Sequence, residues 1–352
     1  MCKMKIVLFS EALTNSAGIE RMTIELANLL CNHYDVSIIL ISDYDKLPYD
    51  LDKRVALSSL KSSFSISKLF PNVCGLRKFV QENAPDYLIT VAVPLVRISA
   101  LALLGLKTKN VAWEHFNLYA GSKLGFYWRL LSTKLVWKTV VLTKADEQNY
   151  RKYVNSDIVC IPNFSPIRFQ EKSKIESNIL LAVGRLENQK GFDLLLQAWK
   201  KAFPSASDWK LHIVGSGSLK SSLVKQAEMF GIKDSVIFKE ATMNIANVYQ
   251  QASCLVMSSR FEGLPMVLIE AKMAGLPCVS FDCPNGPAEV IRDGIDGYLV
   301  PAEDVDALAS RLIDLLNNRN ILKKMGKLAY EDACERFSAE AIEEKWKCLL
   351  KE

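Results

Sequence analysis

Short apolar runs, each followed by a Gly or polar turn and then by a segment with helical spacing, recur through the whole chain. The runs are continuous and rich in β-branched residues, which indicates strands covered on both faces, as in parallel sheets with crossover helices. They read KIVLFS, DVSIILIS, YLITVAV, KNVAWEH and TVVLT in the first half, and NILLAVGR, WKLHIVGSG, SVIFKE, SCLVMSS, PCVSF and GYLVP in the second. We therefore predict an α/β chain with two Rossmann-like, doubly wound domains in tandem.

A linker between the two domains is predicted in IPNFSPIRFQEKSKIES, which has two prolines and mixed polar residues. We place the first domain at 1–166 and the second at 167–335. A last helix is predicted within 336–352, because apolar residues there repeat with helical spacing: Ala339, Ile342, Trp346 and Leu349. A chain of 352 residues is long enough for two cores of ordinary size.

The composition is that of a globular protein, with 49% hydrophobic and 24% charged residues. Nine scattered cysteines without a CxxC pair favour a reducing compartment over a disulfide framework or a zinc site. Too few apolar residues precede Glu11 for a signal peptide, so we expect a cytoplasmic protein. Residues 87–106 have the length of a membrane span, but Arg97 and Pro94 favour a buried strand, a turn and a helix.

Positive charge is concentrated in the first half, since residues 1–166 carry a net charge of +6. Within it, residues 122–138 (SKLGFYWRLLSTKLVWK) interleave basic and aromatic side chains. Two interpretations stay open: a surface that rests on an anionic bilayer, at the inner face of the cytoplasmic membrane, or an ordinary helix with its aromatics in the core. A net charge of +5 for the whole chain, without a basic run, makes a nucleic-acid partner the weakest hypothesis.

The segment RFEGLPMVLIEA places two glutamates in otherwise apolar surroundings after the run CLVMSS. Glu262 is expected in a strand-to-helix loop, Pro265 in the first helical turn and Glu270 inside the helix. The free N–H groups around Met266 and Val267, together with the helix dipole, would form an anion site. The alternative is structural: one carboxylate stabilises the dipole and the other caps a neighbouring strand.

Four further loops follow predicted strands, where ligands of doubly wound sheets bind. In VGRLENQKGFD, Arg185 and Lys190 lie beside glycines and could hold a diphosphate, although surface solvation is the ordinary role of such residues. The glycine exit VGSGSL is a weak signal by itself. WEHFN puts His115 at a strand end, whereas His212 lies in an apolar run and suits a core role. Gly18 would let a ligand or a facing domain approach the backbone closely.

Together these segments carry a resemblance to a known family. AGIER, WEHFN, VGRLENQKGFD, VGSGSL, RFEGLPMVLIEA and FDCPNGPAEVIRDGIDGYLVP resemble the retaining family-four glycosyltransferases of the GT-B fold. The similarity runs almost end to end and is densest over residues 179–301. It implies two Rossmann-like domains facing a cleft, a nucleotide-sugar held mainly by the second domain, and a C-terminal helix that packs back toward the first.

The resemblance also implies roles for individual residues. Arg185 and Lys190 would bind the donor diphosphate, and Glu262 would contact the transferred sugar. Glu270 would bind the ribose hydroxyls, and His115 would approach the sugar and the acceptor. Catalysis is thus assigned to Glu262, His115, Arg185 and Lys190. The remaining donor contacts are expected from Gly18, Gly184, Gly215, Gly263, Leu264, Pro265 and Met266.

Two positions depart from the family pattern. The first glycine loop usually has a glycine pair, whereas this chain has Ala17 before Gly18, so phosphate contact from that loop is less well supported. A glycine often stands where this chain has Lys239 and Glu240, which weakens the case for base recognition near Thr242.

The implied reaction moves a hexosyl group from a nucleoside diphosphate sugar to a hydroxyl of a lipid-linked or oligosaccharide acceptor, with retention at the anomeric carbon. A UDP-hexose or UDP-N-acetylhexosamine follows from the family's habit and not from any residue. The setting would be bacterial surface polysaccharide, such as O-antigen or capsule, or lipid-linked glycan. No cofactor or metal is expected, since DYD (43–45) and DVD (304–306) fall where loops or helix starts are predicted.

Two alternatives to this function stay open. Tandem Rossmann units also suit an NAD-dependent oxidoreductase, but no strand exit carries GxGxxG with the distant acidic residue that a dinucleotide ribose needs. A catalytically silent scaffold could keep the donor site, although all the charged residues of that site are present.

Overall fold

The structure, a computed structural model, describes residues 3–14 and 18–351. It divides into two compact units. The first unit comprises the residues up to Pro166 together with those from Glu343 onward, and the second comprises Ile167–Ile342.

The first unit is built on one parallel sheet of seven strands in the order β3-β2-β1-β4-β5-β6-β7. The strands are β1 Lys5–Ser10, β2 Asp35–Leu40, β3 Ala56–Ser59, β4 Tyr87–Val91, β5 Lys109–Trp113, β6 Lys138–Val141 and β7 Ile158–Cys160. The helices are α1 Gly18–Leu30, α2 Leu69–Asn83, α3 Val96–Ala102, α4 Lys123–Ser132 and α5 Lys144–Arg151. Strand β4 is buried along its whole length, as expected for a central strand covered on both faces.

The second unit has a parallel sheet of six strands in the order β10-β9-β8-β11-β12-β13. The strands are β8 Ile179–Val183, β9 Lys210–Val214, β10 Val236–Lys239, β11 Cys254–Met257, β12 Cys278–Asp282 and β13 Gly297–Pro301. The helices are α6 Phe192–Ala202, α7 Lys220–Met229, α8 Ile245–Gln251, α9 Met266–Met273, α10 Pro287–Val290, α11 Val305–Leu316 and α12 Arg319–Phe337. The prediction of two parallel, doubly wound α/β domains is confirmed.

Two edge strands were missed by the sequence prediction. Strand β3 (ALSS) is only partly buried and has no continuous apolar run, and β7 (IVC) has three residues. Both lie at the ends of their sheet, where one neighbouring strand suffices and the apolar signal is weak.

The segment 87–106 forms strand β4, a 3₁₀ turn at Val93–Leu95 and helix α3, as its interrupting proline predicted. Among the residues that the structure describes, no helix has both the length and the apolar composition to cross a bilayer.

The last helix, α13 (Ala339–Lys351), begins in the second unit, and from Glu343 onward it belongs to the first. Trp346 is buried there, with its ring 5.6 Å from that of Trp113 in β5. Leu349 and Leu350 are buried as well. The expected return of the C-terminal helix to the first domain is therefore observed.

Candidate functional site

The order of strands in the second unit reverses beside β8, because β9 and β11 both pair with it. In doubly wound sheets, the loops at the carboxyl ends of such strands diverge and leave room for a ligand. The loop after β8 carries Arg185 and Lys190, and the loop after β11 carries Glu262. The fold therefore brings together two segments that lie more than seventy residues apart in the chain.

Lys190 and Glu262 form an ion pair, with 2.6 Å between Nζ and Oε1. Their side chains are only 14% and 8% exposed, so each charge depends on the other for compensation. Ser258 adds a second link, since its hydroxyl donates to the carbonyl of Lys190 at 3.0 Å. A cation and a carboxylate at the end of neighbouring strands could bind an anionic group and a hydroxyl-bearing group side by side.

Glycines around this pair are required by close packing. A Cβ on Gly184 would lie 3.3 Å from three side-chain carbons of Lys190, whose aliphatic chain crosses the glycine. Gly191 has a φ of +60°, and a Cβ there would lie 2.1 Å from the Ser258 carbonyl oxygen. A Cβ on Gly215 would lie 1.9 Å from the carbonyl oxygen of Gly184. The structure thus gives Gly184 and Gly215 a packing role between the loops.

Arg185 is exposed and donates to the side-chain oxygen of Gln189 at 3.1 Å. Gln189 in turn donates to the carbonyl of Phe261 at 3.1 Å, which joins this loop to the one that carries Glu262. The guanidinium of Arg185 therefore lies at the rim of the site, where a phosphate can reach it.

Arg260, which sequence reasoning missed, ties the two loops together. Its guanidinium makes a forked pair with Asp193, at 2.9 and 2.7 Å, and donates to the carbonyl of Asn188 at 2.8 Å. The nearby Arg260 charge lowers the pKa of the Asp193 carboxyl through this hydrogen-bonded pair. An arginine directly before FEGLP was the available signal, but its partners come from a different segment of the chain.

Glu270 lies in the second turn of α9 and is buried. It accepts a hydrogen bond of 2.7 Å from the hydroxyl of Tyr249, which is buried in α8. Tyr249 therefore orients one oxygen of this carboxylate. No sequence motif indicated Tyr249, because its partner Glu270 lies twenty-one residues away in the chain.

The loop of Gly263, Leu264 and Pro265 leads directly into α9. Pro265 is the N-cap residue and Met266 the first helical residue, so the helix begins one position later than predicted. Gly286, in the loop after β12, packs against this segment: a Cβ there would lie 2.2 Å from the Gly263 carbonyl oxygen and 2.4 Å from Cδ of Pro265. Gly286 thus supports the entry to the helix whose free amides could bind an anion.

His115 lies directly beyond β5 in the first unit, and its ring is 4.4 Å from that of Trp113. Its Nε2 is enclosed and has no hydrogen-bond partner among the described residues, although part of the residue remains accessible. Burial lowers the pKa of His115 to about 3, so the ring is neutral near pH 7. A neutral imidazole has one nitrogen that donates and one that accepts, so it can hydrogen-bond a hydroxyl group without adding a charge.

The structure also places three other residues singled out in the sequence. Gly18 is the first residue of α1 and has open space on its Cβ side, while Ala17 lies outside the described residues. His212 is buried in β9, where burial lowers its pKa to about 4, in keeping with a core role. Glu240 pairs with Lys220, and its pKa is lowered through that hydrogen bond.

The acidic triplets have structural roles or lie in loops. Asp304 is the N-cap of α11, where its carboxylate accepts from the amide of Ala307 at 2.9 Å. Residues 43–45 lie outside helices and strands. Across the described ranges, no three His, Cys, Asp or Glu side chains are grouped closely enough to hold a metal ion.

The basic aromatic segment 122–138 has two different faces. Tyr127, Leu124 and Leu131 of α4 are exposed, at 66, 79 and 49%. Two of its cations are turned inward, since Arg129 pairs with Glu114 and Lys138 is buried in β6. The aromatics Phe126 and Trp128 pack inward, as the core interpretation predicts, and an apolar stripe stays outside. Contact with a bilayer stays a prediction.

Comparison with solved structures identifies the fold. The chain superposes on lipopolysaccharide outer core galactosyltransferase WaaB with a TM-score of 0.80 at 22% identity, covering 98% of each chain. Anabaena HepE, solved in complex with UDP, gives a TM-score of 0.84 at 17% identity and covers 99% of this chain and 100% of its own. The fold is that of the GT-B glycosyltransferases.

Sequence comparison then gives the family. Residues 163–332 match the profile of Glycosyl transferases group 1. The amylovoran biosynthesis glycosyltransferase AmsD of Erwinia amylovora is 31% identical over 98% of this chain and 99% of its own length. An α-1,4-N-acetyl-D-galactosaminyltransferase of Campylobacter jejuni, named for the acceptor GalNAc-α-(1→4)-GalNAc-α-(1→3)-diNAcBac-PP-undecaprenol, is 30% identical over 98% of both chains. The chain belongs to the group 1 glycosyltransferases.

Proposed function

We propose that this glycosyltransferase moves a hexosyl group, with retention, from a nucleoside diphosphate sugar bound in the second unit to an acceptor hydroxyl. The observation that carries the proposal is the enclosed Lys190–Glu262 pair beside the start of α9. A diphosphate is a stronger partner for an ammonium group than a carboxylate is. Donor binding would draw Lys190 toward the phosphates and release Glu262 to accept hydrogen bonds from the sugar.

The remaining contacts follow from the same geometry. Arg185, at the rim, would make a forked contact with the phosphates, and the amides at the start of α9 would face them. Glu270, oriented by Tyr249, would accept hydrogen bonds from the ribose hydroxyls. The fold neighbours HepE and pneumococcal GtfA are known in complex with UDP, which supports a UDP-hexose or UDP-N-acetylhexosamine donor.

Retention is proposed to follow a same-face route, in which the departing phosphate helps to deprotonate the acceptor. The positive groups of the donor site would stabilise the charge that grows on the leaving diphosphate. The neutral ring of His115 would hydrogen-bond the sugar or acceptor hydroxyl without adding a charge. Since Lys190, Arg185 and the helix amides supply the positive charge, we also propose that no metal is required. Turnover abolished by a chelator and restored by a divalent cation would contradict this.

The acceptor is proposed to be lipid-linked, because the Campylobacter relative is named for an undecaprenol-linked acceptor. The exposed apolar stripe of α4, flanked by exposed Lys123 and Lys134, would rest on the inner face of the cytoplasmic membrane. We expect the protein to sediment with phosphatidylglycerol vesicles at low salt. Leu124→Ser with Tyr127→Ser should abolish this, whereas Met229→Ser, at a 77% exposed site of the second unit, should not. Equal sedimentation of both variants would remove α4 from the membrane contact.

The donor site is tested by calorimetric titration with UDP, GDP, ADP and NAD. We expect one nucleoside diphosphate to bind, and Lys190→Ala to weaken it at least tenfold, since a charge-assisted contact is lost. Lys225→Ala, an exposed lysine on α7, is the matched control and should change nothing. Binding of NAD alone would favour the oxidoreductase alternative. Binding of a diphosphate without turnover of any sugar donor would favour a silent scaffold.

A further inference from the structure

The segment that carries His115 is fixed from inside the first unit by a buried carboxylate. Glu114, 1% exposed, accepts at Oε1 from the amides of His115, at 2.9 Å, and Phe116, at 3.0 Å. Its other oxygen accepts from Nε of Arg129 at 3.2 Å. Arg129 in turn donates to the carbonyl of Ala120 at 2.7 Å. One ion pair thus holds the loop between β5 and α4 at both of its ends.

We propose that Glu114 and Arg129 are positioning residues that hold His115 in its working orientation. This rests on the proposed function, in which His115 contacts the reacting groups. Because the Glu114 carboxylate accepts from the His115 amide itself, any shift of the carboxylate moves the backbone from which the imidazole projects. The tilted contact of the ring with Trp113, at 4.4 Å, fixes one side of the imidazole.

Burying the Glu114 carboxylate here costs desolvation free energy, which a purely structural role would not explain. Burial raises the pKa of Glu114 to about 7, although Arg129 and two amides favour its charged form. Burial raises the pKa of Tyr150 in α5, and the nearby Glu114 charge raises it further. A pair of apolar side chains would avoid this desolvation cost, so the polar arrangement is explained by the loop that it orients.

The same arginine joins His115 to helix α4. Arg129 lies on the inner face of α4, with its side chain 12% exposed, while Tyr127 and Leu131 lie on the outer face. An acceptor or surface that binds the outer face of α4 therefore contacts the same helix that anchors the His115 loop. This connection passes through residues of the first unit only.

The test compares Arg129→Met with Arg151→Met, which removes an exposed ion pair to Glu147 in the same unit. We expect Arg129→Met to lower kcat at least tenfold with the affinity for the nucleoside diphosphate unchanged, and Arg151→Met to leave both unchanged. In a His115→Asn background, Arg129→Met should cost less than twofold, because the two residues act through one step. An equal loss of kcat in both backgrounds would overturn the proposal.

A second readout does not depend on activity. The chain has three histidines, so the side-chain ¹H–¹⁵N spectrum is simple. Arg129→Met should shift the His115 signals and leave those of His212, in β9 of the second unit, in place. If Arg129→Met does not fold, Arg129→Lys is the second variant. It keeps the charge but cannot donate to Glu114 and to the Ala120 carbonyl together, so it should give the same changes more weakly. Unshifted His115 signals would overturn the proposal, whereas shifted signals in a protein that transfers no sugar would refute only the proposed function.

Discussion

Because the pKa of His115 is about 3 in the folded chain, the free energy of unfolding depends on pH below about 6.5. The unfolded chain protonates His115 below about pH 6.5, whereas the folded chain keeps it neutral until much lower pH. Acidification therefore stabilises the unfolded state, by up to about 1.4 kcal/mol per pH unit below pH 6.5. Above that pH the residue has no such effect.

His115→Asn should remove this dependence. We expect the free energy of unfolding of the native protein, relative to that of the variant, to fall by up to about 2 kcal/mol between pH 6.5 and pH 5. Urea titrations of both proteins at the two pH values measure this difference. The same comparison between pH 7.5 and pH 8.5 is the control and should show no change. A difference that is constant from pH 7.5 to pH 5 would mean that His115 is accessible to protons in the folded state.

At the residue scale, the candidate site residues that the sequence indicates are those in local patterns. Lys190 and Glu262 lie in loops that follow apolar strands, where doubly wound sheets bind their ligands, and Glu270 lies in the helix after the second of these loops. Tyr249 and Arg260 were missed because their roles lie in contacts with distant segments. The spacing of residues within one strand or helix does not predict contacts with distant segments.

At the scale of elements, the start of α9 depends on a neighbouring loop. Gly286→Ala would place a methyl group 2.2 Å from the Gly263 carbonyl oxygen, so the segment before Met266 must move. We expect the affinity for the nucleoside diphosphate to fall at least tenfold. Gly294→Ala is the matched control, since Gly294 also has positive φ but nothing within 4 Å of the added atom. Titration of both variants separates the steric effect from backbone strain, and equal losses would contradict the steric account.

Elements were predicted best where burial was complete. The central strands of both sheets are covered on two faces, and their continuous apolar runs identified them. Edge strands β3 and β7 gave no such signal, since β3 is only partly buried and β7 has three residues. The start of α9 was displaced by one residue because a proline is accepted both at the N-cap and in the first turn.

At the scale of the whole molecule, a buried charge network supports the second unit. Lys272 of α9 is fully buried and pairs with Asp296 at 3.1 Å and with Asp332 of α12. Arg292 pairs with the same two carboxylates, at 2.7 and 3.3 Å. The helix that carries Glu270 is thereby joined to α12 and to the loop before β13.

Lys272→Met should leave the two aspartates under-compensated in the interior. We expect the free energy of unfolding to fall by about 3–5 kcal/mol, as for other buried pairs that lose one partner. Lys327→Met, which removes an exposed pair to Glu331 at 3.9 Å, should cost less than about 1 kcal/mol. Urea unfolding of both variants tests this, and equal small effects would show that Arg292 alone neutralises the network.

Helix α13 also sets the order in which the two units can complete their folding. Residues 343–351 leave the ribosome after every residue of the second unit, yet they complete the core around Trp113. During synthesis the first unit must therefore wait, with one side of Trp113 uncovered, until the second unit has been translated. A frameshift within the codons for residues 343–351 would therefore damage the first unit and leave the second unit intact.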